Sequence, residues 1–247
     1  MRRPMTNQAL FDPRLDAACA VVIGVGGLGC TAAAVLAGEG VGTLRLLDPD
    51  DVEVSNLHRQ ILFDDPDVGR PKVDVAARRL RRTRPDLRVE PRPERFGAAS
   101  AEALAGADVI VDGTDSVVAK FLVNDAAVAA GLPLVHGGAV GFTAQVMTIL
   151  PGRSACYRCL FEDPPPDDEV PSCRDAGILG PVVALAGALQ GAEAVRILRG
   201  ERPAFADRIV SFDAWSGTWR SVPITQRASC DACGRLPRGD ATRSHAP

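Results

Sequence analysis

The chain has 247 residues, 46% of them apolar and 24% charged, a composition that suits one large α/β domain or two small ones. A net charge of −3 with a pI near 5.7 gives no basic field for a phosphate backbone, and aromatic residues make up only 4%. Both features argue against a nucleic-acid partner.

The N-terminus, MRRPMTNQALFDPR, is basic but has no apolar run of signal-peptide length. Residues 1–17 lack periodicity and read as an arm. Residues 20–23 are a β-branched run ending at glycine, the pattern of a buried parallel strand. The turn Gly24-Val25-Gly26-Gly27-Leu28-Gly29 follows, then an alanine-rich helix over 28–36 and a second strand over 43–47 that ends at Asp48. Strand, G-x-G-x-x-G, helix, strand and acid form the context of a nucleotide-binding turn. Its glycines admit phosphate to the helix N-terminus, and Asp48 accepts hydrogen bonds from ribose hydroxyls. A tight turn that binds nothing would use the same glycines.

Residues 72–84 form an amphipathic helix with Val73, Ala76, Ala77 and Leu80 on one face. Residues 87–92 supply a strand, 99–104 a short helix, and 107–111 an apolar strand. That strand runs out into Asp112-Gly113-Thr114-Asp115-Ser116 at the carboxyl edge of the sheet, where ligands of open α/β sheets bind. A helix over 117–130, strands over 133–136 and 145–150, and a helix over 178–198 with Pro181 near its start come next. The apolar run 177–192 contains Pro181 and Gln190 and continues into Glu193 and Arg196, which reads as short of a membrane span. A hairpin over 209–213 and 218–223 precedes a tail, 235–247, read as disordered. The expected fold class is α/β: a Rossmann-like mixed sheet flanked by helices, with C-terminal antiparallel strands and a structural zinc site.

Between Asp48 and Lys72 lies Ser55-Asn56-Leu57-His58-Arg59-Gln60, a polar cluster that a plain nucleotide fold has no packing need for. It makes sense around a triphosphate. Arg59 and Lys72 would act on charge that develops in the transition state, worth about 10² to 10³ each in rate. Asp115 would hold magnesium against the same phosphates. As surface ion-pair formers these residues would contribute almost nothing. Without a secretion signal the expected location is cytoplasmic, where the seven cysteines stay reduced. Two C-x-x-C pairs, Cys156 with Cys159 and Cys230 with Cys233, fit a four-thiolate zinc site with no open position for catalysis. Surface cysteines or a redox pair are the plainer alternative. Cys173 differs: it ends an acidic loop beside Arg174 and precedes a helix, which suits an exposed nucleophile or else a tolerated loop cysteine. Cys19 and Cys30 read as core, His136 as structural, His58 as a member of the polar cluster that is not a base, and His245 as part of the tail.

Taken together, Gly24-x-Gly-Gly-Leu-Gly29, Ser55-Asn-Leu-His-Arg-Gln60, Asp67-Val-Gly-Arg-Pro-Lys72, Asp112-Gly-Thr-Asp115, Cys156-Tyr-Arg-Cys159 and Ala176-Gly-Ile-Leu-Gly-Pro181 closely resemble the ThiF/MoeB/HesA adenylyltransferases. These are bacterial relatives of the ubiquitin-activating enzymes, and Cys159-Leu-Phe161 with Cys173-Arg174 looks closest to ThiF. The resemblance implies a single adenylation domain over 18–234, with a crossover loop at 155–176 and a hairpin and zinc end at 205–234. It implies MgATP-dependent adenylation of the C-terminal Gly-Gly carboxylate of a small ubiquitin-like sulfur-carrier protein. Sulfur from a sulfurtransferase or cysteine desulfurase would then form a thiocarboxylate. Carried over by position, Gly24, Gly26 and Gly27 line the nucleotide, Asp48 holds the ribose, Asn56, Arg59 and Lys72 grip the phosphates, and Asp115 ligates magnesium. The four paired cysteines hold zinc, and Cys173 bonds covalently to the activated carrier. A homodimer packed through the small-residue face of the helix after Pro181 is also implied, with the carrier docking on the sheet face and hairpin.

Two departures stand out. The family's N-terminal Arg-Tyr-x-Arg-Gln segment is absent, and Arg14 lies too close to the first strand to replace it, which leaves only Arg2 or Arg3. Ser116 stands where the family usually has asparagine. A carrier-binding scaffold without catalysis is therefore the alternative. A nicotinamide-dependent oxidoreductase would leave the Asn-x-x-Arg-Gln cluster and Lys72 unexplained.

Overall fold

The computed structural model describes residues 12–97, 100–165 and 177–236. Cys173, Arg2, Arg3 and the tail from 237 onward lie outside them. Eight strands form one sheet, in the order β3-β2-β1-β4-β5-β6-β7-β8. They are β1 (Cys19–Ile23), β2 (Thr43–Leu47), β3 (Arg88–Arg92), β4 (Val109–Asp112), β5 (Leu134–Val140), β6 (Thr143–Ile149), β7 (Arg208–Asp213) and β8 (Thr218–Pro223). The first five are parallel and the last three antiparallel, which is the expected mixed sheet.

β1 is buried along its whole length because helices cover both faces of the parallel region. Side chains alternate between two cores. Ala20 and Val22 face one and Val21 and Ile23 the other. The first core lies under α2 (Gly27–Glu39), α3 (Lys72–Thr83) and α6 (Gly180–Leu198). The second lies under α4 (Val117–Ala130) and the short α5 (Tyr157–Leu160). α3 buries Val73, Ala76, Ala77 and Leu80 and turns its arginines outward, as its periodicity predicts.

Three readings change. Residues 13–17, assigned above to an arm, form α1 (Pro13–Ala17). Asp12 caps it, proline occupies its first turn, and Leu15 is fully buried. Second, α6 has 19 residues and a mean hydropathy of 1.3, so it does meet the length and composition of a membrane span. Here it is a core helix: Gln190 donates to the carbonyls of Asp112 and Val135, and Glu193 accepts from Thr148, Ala204 and Phe205. Third, part of the small-residue face assigned to a second copy is used inside the chain. A Cβ at Gly187 would lie 2.4 Å from the Leu28 carbonyl, and one at Gly191 2.7 Å from Val35 Cβ. These two glycines let α6 settle on α2.

At the far end the β7–β8 ribbon stands proud of the body. Every residue of β8 is exposed. Phe142 packs edge-on against Trp215 and Phe212 tilts against Trp219, leaving the tryptophans 81% and 52% exposed.

Candidate active site

The carboxyl ends of β1, β2 and β4 open into a cleft of about 680 Å3. It sits at β1, where the chain order of the strands reverses, the usual ligand position of such sheets. All nine residues expected at a nucleotide line it: Gly24, Gly26, Gly27, Asp48, Asn56, Arg59, Lys72, Asp115 and Ser116.

Gly24 has φ +86°, and a Cβ there would strike the Gly113 carbonyl at 2.8 Å, so the turn is locked to the β4 loop. Gly26 is different. A Cβ would meet only Gln60 Nε2, at 3.7 Å, and no side chain caps α2 behind it. The protein itself does not demand glycine at this position. The open helix N-terminus is a fit for phosphate.

The loop from Asp48 to Lys72 folds back on itself through an Asp51–Pro71 bridge and the bonds Val52 N–H to Arg70 and Lys72 N–H to Asp50. This carries Lys72, 5% exposed, to the foot of β2. Its Nζ lies 3.0 Å from Asp50 Oδ2 and 3.8 Å from Asp48 Oδ1. Asp48 accepts from the N–H groups of Val25 at 2.7 Å and Asp50 at 2.9 Å. Burial pushes the Asp48 carboxyl above its ordinary value, with Lys72 and those N–H groups opposing.

The Asn-x-x-Arg-Gln turn is wired internally. Asn56 Oδ1 accepts from Arg59 Nη2 and from Gln60 Nε2, each at 3.0 Å, while its Nδ2 donates to Glu53 Oε2 at 3.1 Å. Arg59 Nη1 donates to the Ser55 carbonyl at 3.0 Å. Arg59 pairs with no carboxylate among the described residues, so its charge is unspent at the cleft. On the opposite side Asp115 is exposed and without a hydrogen bond or ion pair among the described residues, a donor suited to a hard divalent cation. Ser116 caps α4 through a long 3.4 Å contact from Ala119 N–H.

Several cleft residues escaped the sequence reading. Arg95 and Phe96 reach it from beyond β3, and Lys120 enters from the first turn of α4, buried. Lys120 Nζ donates to the carbonyls of Thr114 and Gly137, both at 2.6 Å. Beside it the parallel register sets Asp112 opposite His136, whose Nδ1 lies 2.9 Å from Asp112 Oδ2. Burial works to raise the Asp112 carboxyl, but Lys120, His136 and Thr114 outweigh it and hold the group well below the usual range. Burial, then Lys120, lowers His136, so it is a neutral core imidazole, consistent with a structural residue.

The sign of the pH dependence follows. A depressed His136 binds its proton more readily unfolded, so its stabilisation is present above the ordinary imidazole value of 6.5 and is lost as pH falls below it. Asp112 adds a loss below its ordinary value of 3.8. The melting temperature is expected to drop between pH 7 and pH 5, and His136→Gln to flatten that slope. An equal slope in both proteins would remove this account.

The cysteine pairs meet in space. Cys156 Sγ lies 3.9 Å from Cys159 and 3.5 Å from Cys230, Cys159 lies 3.5 Å from Cys233, and all four sulfurs fall within 4.8 Å of one another. A tetrahedral zinc with bonds of about 2.3 Å needs sulfurs about 3.8 Å apart. Burial pushes the Cys233 thiol up to about 11, and burial with the Cys159 neighbour pushes Cys156 higher still. Burial opposes the Cys230 thiolate too, but the backbone N–H groups of Cys233 and Ala232 hold that thiol below its ordinary value. Four sulfurs closed on one centre fit a divalent cation. Tyr157, between two of these cysteines, packs on the His136 ring at 4.4 Å, so the cluster leans on the His136–Asp112 pair.

Comparison with known proteins agrees with this geometry. The chain is 45% identical over 233 residues to the sulfur carrier protein ThiS adenylyltransferase of Escherichia coli K12, covering 92% of this chain and 88% of that protein. It is 41% identical over 230 residues to a sulfur carrier protein adenylyltransferase of Thermus thermophilus, covering 91% and 85%. Among solved structures, E. coli MccB with ATP superposes with a TM-score of 0.79 at 25% identity, covering 92% of this chain and 69% of that one. The model of the ThiF family matches residues 9–233. The chain belongs to the ThiF family of adenylyltransferases.

Proposed function

We propose that the protein adenylates the C-terminal Gly-Gly carboxylate of a small ubiquitin-like sulfur-carrier protein, preparing it to become a thiocarboxylate. The reading rests on one cleft that gathers an open helix N-terminus, the buried Lys72, Arg59 and, facing them, Asp115, the last two without an ion-pair partner among the described residues. The names of the two relatives supply the carrier as substrate class.

The chemistry asks little of side-chain acids or bases. A carboxylate is already a nucleophile. One of its oxygens attacks the α-phosphorus of ATP, the bond to the β-phosphate oxygen breaks, and pyrophosphate leaves as the acyl adenylate forms. No proton need move. Catalysis is positioning plus stabilisation of charge on the leaving pyrophosphate. Lys72 and Arg59 supply that stabilisation, with Asn56 holding the guanidinium in place. Asp48 receives the ribose hydroxyls on the lone pairs its two backbone donors leave free. Magnesium on Asp115 would neutralise further phosphate charge.

Cys173 takes the activated carrier as a thioester, its thiolate attacking the acyl carbon as AMP leaves, with sulfur delivered by a sulfurtransferase or a cysteine desulfurase. The carrier's body docks on the exposed ribbon, and a second copy of the chain completes a homodimer. A reduced compartment suits the thiolate zinc site.

The test is ATP–pyrophosphate exchange with and without a Gly-Gly-ending carrier. Exchange that needs the carrier is the expected result, retained in Cys173→Ala while the adduct seen on non-reducing gels disappears. A carrier that binds without any exchange would replace this reading with the non-catalytic scaffold.

A further inference from the structure

Lys120 is a lysine four residues into a helix, a position from which such side chains normally reach water, yet it is buried at the wall of the cleft. Compensation of the buried Asp112 charge is the simplest use for it. The distances add a second one. Nζ stands 3.6 Å from Asp112 Oδ2, beyond a good hydrogen bond, while its two short bonds of 2.6 Å go to the carbonyls of Thr114 and Gly137. Thr114 is held twice more: its N–H and Oγ1 donate to Asp112 Oδ1 at 3.0 and 2.7 Å. Every polar group of Thr114 is therefore engaged, and the next residue is Asp115, whose own carboxylate has no partner among the described residues. The backbone before Asp115 is fixed so that its side chain need not be.

We propose that Lys120 is a positioning residue that, by clamping the Asp112–Thr114 turn to β5, presents the Asp115 carboxylate to a divalent cation bound with nucleotide in the cleft. This rests on the magnesium role given to Asp115 above. A cation ligand that held itself by side-chain bonds would have to break them to bind; here the clamp fixes the backbone just before Asp115 and leaves the carboxylate oxygens free of side-chain bonds among the described residues.

The experiment is a titration of the full chain with Mn2+ in the presence of a non-hydrolysable ATP analogue, read by the electron paramagnetic resonance signal of free Mn2+. Lys120→Met is expected to weaken Mn2+ binding about tenfold, the scale of one lost charge-assisted hydrogen bond. Lys120→Arg, which keeps cation and donors, should recover most of it. If Lys120→Met fails to fold, Thr114→Val removes one bond and no charge and should weaken Mn2+ in the same direction. A lower melting temperature with Mn2+ affinity unchanged in these variants would mean Lys120 only supports the core, and the proposal falls. It falls too if the wild-type nucleotide complex binds no Mn2+. Intact Mn2+ binding without carrier-dependent exchange would sink the adenylation reading and leave this one standing.

Discussion

Arg59→Ala is expected to cut carrier-dependent ATP–pyrophosphate exchange by about 10² to 10³, the usual cost of removing one donor aimed at developing charge. The same change should move stability by only about 1 kcal/mol. Arg59 has no carboxylate partner among the described residues to strand. Its bonds go to Asn56 Oδ1 and the Ser55 carbonyl, both in its own turn. Lys72 is a less clean test, because removing its ammonium would leave Asp48 buried beside Asp50 without a cation. Arg59→Lys should fall between wild type and alanine, since an ammonium keeps the charge but loses the fork that spans Asn56 and Ser55. Full exchange in Arg59→Ala, with the melting temperature intact, would remove Arg59 from the reaction.

The largest stability effect is expected at the cysteine cluster. Cys230→Ser should lower the metal content from about one zinc per chain towards zero and cost more than about 3 kcal/mol, the range in which loss of a metal site falls. For a domain of this size that corresponds to a melting point lower by about 6–12 °C. Two physical facts drive the size. Cys156 and Cys230 are 74 residues apart, so the metal closes a long loop and ties the end of β8 to α5. Without it, buried sulfurs face one another with no cation to favour their thiolates. A chelator should act in the same direction. Purified protein that holds no zinc, or a serine variant that melts with the wild type, would overturn the assignment.

Much of this was legible in the sequence because the signals were local. The β2 strand and the α4 helix match the sequence reading residue for residue, since apolar runs bounded by Gly, Asp and Ser mark their ends. The cysteine pairs announced themselves by spacing. What escaped depended on distant chain. β5 runs past His136, the end of the strand read over 133–136, to Val140 because β6 pairs back along its whole length. Lys120 gained its meaning only when Gly137 arrived beside it. Asp112 and His136 meet through strand register, which no spacing rule reveals. The helix at Pro13–Ala17 was the exception, for Asp12 followed by proline is a local start signal, but five residues are too few to show a period.

The distribution of chromophores has its own use. The chain has two tryptophans and one tyrosine. Both tryptophans sit on the β7–β8 ribbon, largely in water, and Tyr157 is buried between the cysteine cluster and His136. Excitation at the red edge, where only indole absorbs, therefore interrogates the ribbon alone. A protein settling there would shift the emission to shorter wavelength, whereas a nucleotide filling the cleft would leave it unchanged. Near-ultraviolet dichroism of the single phenol would report the metal end. The native chain is thus already labelled at two separate places, and partner docking can be followed without attaching a dye.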